Sequence, residues 1–430
     1  MIDVLFCGLA TALGWGLRGE FGGPKGATIP GALLGLSLCV ASGDPALLRA
    51  APLMGAVGAL AFAPGGTLSY GIIIGYTRGT GFWNVVYGYA MLGVVGGLWG
   101  CLGAGLLGLV TGPAALTPLG LGAGIALAFV LGSALYAVFI TWLGWRISPP
   151  RPDAWPRCLA ACAVLLGYAL WAGDLRTVRL CAWGGLSGAA GFMVGQFLQV
   201  LGTERGPEFD WWKVMEQVFG LVLGGGIAWA FLREAPASVP DLSATVLGVS
   251  VAVLAVGVPY LTLVNALGHW HRKGMPITKE ESCLRALRTR VLWLLALPVP
   301  VCWWFARVEH VPSGAVSARV WLLALVWVTV LLGVLKTAYP DWWSWTTRWV
   351  HRGFLALALL VTGWAVLSAS ASAPPFQARG TSLVSALLLA GTLPVVALAL
   401  ARLSIATHPG VWPRGAHRRF GGEPDPELDS

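Results

Sequence analysis

Apolar runs of about twenty residues recur along this chain from one end to the other, and no other feature limits its fold as tightly. Of its 430 residues 57% are hydrophobic and only 11% are charged, against roughly 25% charged in an ordinary soluble domain. So few charges do not cover the surface of a water-soluble fold of this size. A bilayer core about 30 Å thick needs ~20 apolar residues per helix. On that criterion the sequence predicts thirteen segments, at residues 2–17, 26–42, 50–77, 85–111, 119–145, 158–173, 177–200, 211–232, 243–267, 289–307, 317–336, 353–370 and 381–402. The expected fold is all-α, a polytopic transmembrane helical bundle over residues 1–404. The remaining stretch, 405–430, reads as a polar cytoplasmic tail ending in the acidic run GGEPDPELDS, a composition that favours disorder.

The net charge of +9 raises the question of nucleic acid, for which clustered Lys and Arg are the usual footprint. Here the basic residues are scattered between apolar runs, and membrane topology explains them better. Cytoplasmic loops carry the excess of Lys and Arg. After even-numbered segments stand only Arg49, Arg176, Arg179, Arg233, Arg307, Arg319 and Arg379, whereas the other 21 of the 28 basic residues lie in or beside the loops after odd-numbered ones. This alternation predicts an outside N-terminus, a cytoplasmic C-terminus and a place in the cell membrane. The start, MIDVLFCGLATALGW, lacks a positive n-region and a cleavage site and reads as an uncleaved first span. Eight cysteines form no CxxC pair, which argues against a disulfide framework or zinc knuckle. No metal, cofactor or nucleic-acid partner is expected; the partners are the lipid bilayer and a small-molecule solute.

A four-segment internal repeat is expected near 1–111 and 119–232. Trp83-Asn84-Val85-Val86 and the glycine-rich run to Trp99 line up with Trp212-Lys213-Val214-Met215 and the run to Trp229, while Gly71 and Gly75 match Gly191 and Gly195. Copies four segments apart have the same orientation in the membrane. Asp341-Trp342-Trp343 echoes Asp210-Trp211-Trp212, a weaker match in a chain so rich in tryptophan.

Two regions carry chemistry. The stretch Gly14 to Gly31, GWGLRGEFGGPKGATIPG, places Arg18, Glu20 and Lys25 among glycines and prolines between two short apolar segments. It reads as a break in the helical pattern, and irregular backbone at membrane depth is tolerated only where protein or a water-filled cavity surrounds it. Its amides with Arg18 and Lys25 suit an anion, and Glu20 is placed to orient Arg18 or exchange a proton. An ordinary cytoplasmic loop is the competing reading. The GxxxxGK[ST] spacing of a P-loop is absent.

The second region centres on Glu216, which shares one helical face with Gly220, Gly224 and Ala228. Small residues at that spacing let helices approach, so Glu216 is expected to face the bundle interior, where an ionisable group marks an ion or substrate pathway. Pairing with Lys213 is the bland alternative. Gln196 and Gln199, one segment earlier, either complete a polar pocket or bond neighbouring helices. Tyr76, Arg78 and Tyr87 stand at the matching place of the first copy, with an aromatic belt as the alternative for Tyr87. His269 and His271, the pair Glu309 and His310, and Asp174, which reads as a loop charge, are weaker candidates.

These features point to a transporter or permease for a small polar or anionic solute, with a proton carried on Glu216 or Glu20. The substrate- or ion-binding set is Arg18, Glu20, Lys25, Tyr76, Arg78, Gln196, Gln199 and Glu216. A membrane-embedded transferase acting on a lipid-linked substrate, with a loop histidine as base, and a partner subunit without a site of its own are the alternatives.

Overall fold

The computed structural model of the chain describes residues 1–68, 70–113, 118–149, 153–206, 209–234, 242–262, 313–337, 353–354 and 356–365. Among the described residues every regular element is helical. In order these are α1 (Ile2–Phe21), α2 (Gly23–Ser42), a short α3 (Pro45–Arg49), α4 (Ala51–Phe62), α5 (Gly71–Thr77), α6 (Phe82–Val110), α7 (Pro118–Tyr136), α8 (Trp155–Trp171), α9 (Leu175–Arg205), α10 (Trp211–Arg233), α11 (Ala244–Ala252), α12 (Ser313–Thr337) and α13 (Ala356–Ala365). Six stretches are long and apolar enough to cross a membrane: α1, α2, α6, Gly122–Trp142, α10 and Ala244–Thr262. A seventh candidate is the broken pair Ala51–Thr67 and Gly71–Thr77, bent by 64°. The predicted segments 289–307 and 381–402, the tail, the Asp341 motif, His269, His271, Glu309 and His310 lie outside the described residues.

In lipid, apolar side chains gain little by leaving one hydrocarbon environment for another, so helix association depends on close backbone approach at small residues. The core of this bundle is built that way. A Cβ at Gly96 or Gly100 of α6 would strike the carbonyls of Gly188 and Gly184 on α9, so the two Gly-xxx-Gly faces meet antiparallel. Gly31 on α2 meets Gly58 on α4 in the same manner. On α10, Gly220 and Gly224 receive the Thr11 side of α1, as the small-residue face through Glu216 predicts. Large aromatic side chains fill the space between these contacts: Trp15 stands edge-on to Trp99 at 4.5 Å and lies 4.5 Å from Phe219, and all three are buried.

Helix starts are fixed by carboxylates accepting from otherwise orphaned amides. Asp44 accepts from Ala46 N and Leu47 N, Asp174 from Thr177 N, and Asp210 from Lys213 N. Asp174 is therefore not a loop charge: it is fully buried, and its second oxygen takes the Thr177 hydroxyl at 2.6 Å.

The stretch Gly14 to Gly31 also departs from expectation. It is helical on both sides of one residue, Gly22, whose φ of 63° and ψ of 171° turn the chain. The segments read as short are each 20 residues long. Glycine-rich, proline-containing sequence stays helical here because close neighbours support it: the face of Gly14, which has no Cβ, receives Pro30 of α2. The glycines matched in the repeat have different surroundings. Gly71 and Gly75 face open space on seven-residue α5, whereas Gly191 and Gly195 pack on Phe219 and Met215 of α10.

Candidate functional site

The last turn of α1, the break before α5 and the first turns of α10 converge on one buried polar network. Its centre is Glu216, with a side chain 3% exposed. Oε1 accepts from the Tyr70 hydroxyl at 3.3 Å and from Trp212 Nε1 at 3.1 Å, and lies 3.8 Å from Arg18 Nη1. Oε2 accepts from Lys213 Nζ at 3.2 Å. The ammonium of Lys213 also pairs with Glu20 Oε1 at 2.8 Å and reaches the Gly16 carbonyl at 3.5 Å. Arg18 Nη1 donates to the Tyr70 hydroxyl.

Local sequence explains the convergence. Trp212, Lys213 and Glu216 stand at i, i+1 and i+4 on α10, so the indole and ammonium reach back to the carboxylate across one turn. A side chain at Gly19 would collide with the Glu216 carboxylate and the Lys213 ammonium, so the missing Cβ provides their seat against α1. Tyr70 arrives because Pro64, Gly65 and Gly66 end α4 in a short 3₁₀ turn; its ring is stacked 6.0 Å from Trp212 and edge-on to Phe192 at 5.1 Å.

Arg18 lies in an aromatic cage, its guanidinium carbon 5.5, 5.0 and 5.2 Å from the ring centroids of Trp15, Tyr70 and Trp99. Cation–π attraction offsets part of the desolvation such a buried cation suffers. Two cations, Arg18 and Lys213, face two carboxylates, Glu20 and Glu216, so the network is formally neutral. Glu20 and Lys213 form its outer edge, with side chains 13% and 11% exposed; Glu216 and Arg18 form its interior, at 3% and 6%.

Of the predicted site residues, Arg18, Glu20 and Glu216 are brought together. Lys25 is exposed on the first turn of α2, and Lys213 is the cation beside Arg18. Glu20 pairs with Lys213 and not with Arg18. Gln196 and Gln199 are buried on α9. Gln196 Nε2 donates to Thr77 Oγ1 of α5 at 2.7 Å, while Gln196 Oε1 and both amide atoms of Gln199 have no partner. Tyr76 sits edge-on to Tyr87 at 5.2 Å, and Tyr87 donates to the Ile147 carbonyl at 3.0 Å, tying α5 and α6 to the segment after α7. Arg78 is exposed at the end of α5. Sequence reasoning missed Tyr70 and the cage tryptophans Trp15 and Trp99. The signal for Tyr70 was the Pro-Gly-Gly break inside a run read as one span.

A second ionic cluster lies at the other end of α10 and ties it to α9 and to the end of α6. Arg176 donates to Thr111 Oγ1 at 2.8 Å and stacks over Phe231 with its guanidinium carbon 5.0 Å from the centroid. Arg179 and Glu234 form a bidentate pair at 2.7 and 2.8 Å, which holds the Glu234 carboxyl below its ordinary pKa. Among the described residues no group of three or more His, Cys, Asp or Glu has the arrangement of a metal site. No known family model, curated protein or solved structure matches the chain.

Proposed function

We propose that this chain is a multi-pass membrane transporter or permease for a small polar or anionic solute, coupled to protons through Glu216. The observation that carries the reading is the buried, charge-neutral network in which one carboxylate receives Arg18, Tyr70, Trp212 and Lys213. Ionisable groups inside a membrane bundle are expensive and mark ion or substrate pathways. Protonating Glu216 removes the counter-charge of Arg18 and Lys213 and loosens the attachment of α1 to α10. A solute that meets those cations then binds in a proton-dependent manner, which is the elementary requirement of coupling.

The finer reading has thirteen crossings, an outside N-terminus, a cytoplasmic C-terminus in the cell membrane and a same-orientation repeat. The 21-to-7 division of basic residues supports the topology, and the matched Trp83 and Trp212 stretches support the repeat. In this orientation the Glu216 network lies toward the cytoplasmic side and the Arg179–Glu234 pair at the outer surface.

The test is uptake and current in proteoliposomes of the purified protein, challenged with small anionic and polar solutes under a pH gradient. A solute-dependent current that Glu216→Gln abolishes, in protein that still folds, is expected. Absence of current and tracer uptake for every solute would contradict transport.

A further inference from the structure

We propose that the solute is a small monovalent anion, and that it binds in the Arg18 cage by taking the place of the ionised Glu216 carboxylate. The inference rests on the transport reading and adds the substrate class and the exchange of one anion for one ionised carboxylate.

Orphaned donors provide the first argument. Arg18 Nε and Trp15 Nε1 have no hydrogen-bond partner, although these side chains belong to residues only 5% and 1% exposed. Buried donors are nearly always paired, and these two stand three residues apart on α1, beside the same guanidinium. The indole edge that carries Nε1 faces α10: a Cβ at Gly220, one turn beyond Glu216, would lie 2.6 Å from Trp15 Cδ1. Spare hydrogen-bonding capacity in the cage is thus donor capacity, with the Trp15 donor beside the α1–α10 seam, and donors select an anion.

Charge provides the second. The titratable and charged groups facing Glu216 among the described residues are Arg18 and Glu20 from α1, Tyr70 from the break before α5, and Lys213 from α10. With Glu216 ionised they sum to zero, and a free anion would add an unbalanced buried charge. Once a proton occupies Glu216, the same set carries one positive charge, and one monovalent anion restores neutrality. A dianion overshoots and a neutral solute leaves the charge in place, so the network selects a singly charged ligand. Size follows from the walls: the fully buried Trp15 and Trp99 rings flank the guanidinium and Phe219 packs on both, so the site admits a ligand no larger than the carboxylate it replaces. Nitrate, planar and of carboxylate size, is the natural probe.

The experiment is calorimetric titration of nitrate into the full-length protein in detergent, with proton uptake read in parallel. Wild-type affinity is expected to rise on the order of ten-fold per pH unit on acidification from about pH 7.5, with one proton taken up per nitrate bound. Glu216→Gln is expected to bind nitrate equally at both ends of that range and to take up no proton. Trp15→Phe, which removes one donor and keeps the aromatic wall, is expected to weaken binding roughly two- to ten-fold. Sulfate and urea are expected not to compete. Nitrate binding that is absent from every form, independent of pH in the wild type, or unchanged by both substitutions overturns the assignment. If vesicles show proton-coupled uptake of another solute while nitrate fails to bind, the anion assignment falls and transport stands. If nitrate binds as described but no solute, nitrate included, crosses the vesicle membrane, transport falls and the anion site stands.

Discussion

At the scale of single residues, Glu216 is stabilised where it is by its partners, and their removal shows how strongly. Taking one member from a buried ion pair leaves the other uncompensated at a cost of about 3–5 kcal/mol, whereas removing both is far milder. Arg18→Met and Glu216→Leu are therefore each expected to destabilise the purified protein by about that much, and the double variant by clearly less than their sum. Unfolding in detergent measures this; strict additivity would mean that the 3.8 Å approach has no energetic consequence. The sequence made Glu216 legible, because Gly220, Gly224 and Ala228 mark its face as a helix contact. It did not make Tyr70 legible, because a helix bent by 64° still reads as one apolar run when counted by hydropathy. Nor did it separate Lys25 from Lys213: both are basic and near a predicted helix start, and only three-dimensional packing distinguishes the exposed one from the buried one.

At the scale of elements, helix contacts made through backbone explain why so glycine-rich a chain is so helical. Gly14 to Gly31 looked irregular because glycine and proline weaken isolated helices, yet within a bundle neighbouring helices supply the compensation. The same physics makes position decisive for substitution. Gly100→Ile drives a branched side chain into the Gly184 carbonyl, and overpacking of this kind costs about 1–3 kcal/mol or more when backbone must move. Loss of the monodisperse folded species is expected. Gly122→Ile, on α7 where a Cβ meets nothing within 4 Å, is expected to leave size-exclusion behaviour and melting temperature unchanged. Equal damage from both would mean that the α6–α9 seam is not held by its glycine pair.

At the scale of the whole molecule, the Glu216 network and the Arg179–Glu234 pair sit at opposite ends of α10. If the proposed orientation holds, a cysteine at exposed Lys25 is labelled by a membrane-impermeant maleimide only from the cytoplasmic side. One at Leu175, which is 58% exposed, is labelled only from outside. The reverse pattern would invert the topology and place the Glu216 network at the outer surface. The helical class and the presence of several apolar stretches long enough to cross a membrane were legible from composition and run length alone. The network was not, because it joins residues from 18 to 216 that no local pattern connects. Proton coupling as proposed requires that Glu216 exchange a proton inside the folded bundle. The most direct measurement is the infrared difference spectrum of the reconstituted protein between neutral and acidic pH. The carbonyl stretch of a buried protonated carboxyl is expected to appear on acidification and to be missing from Glu216→Gln. A spectrum in which that band is unchanged by the substitution, or never appears while the protein remains folded, would contradict proton coupling through Glu216.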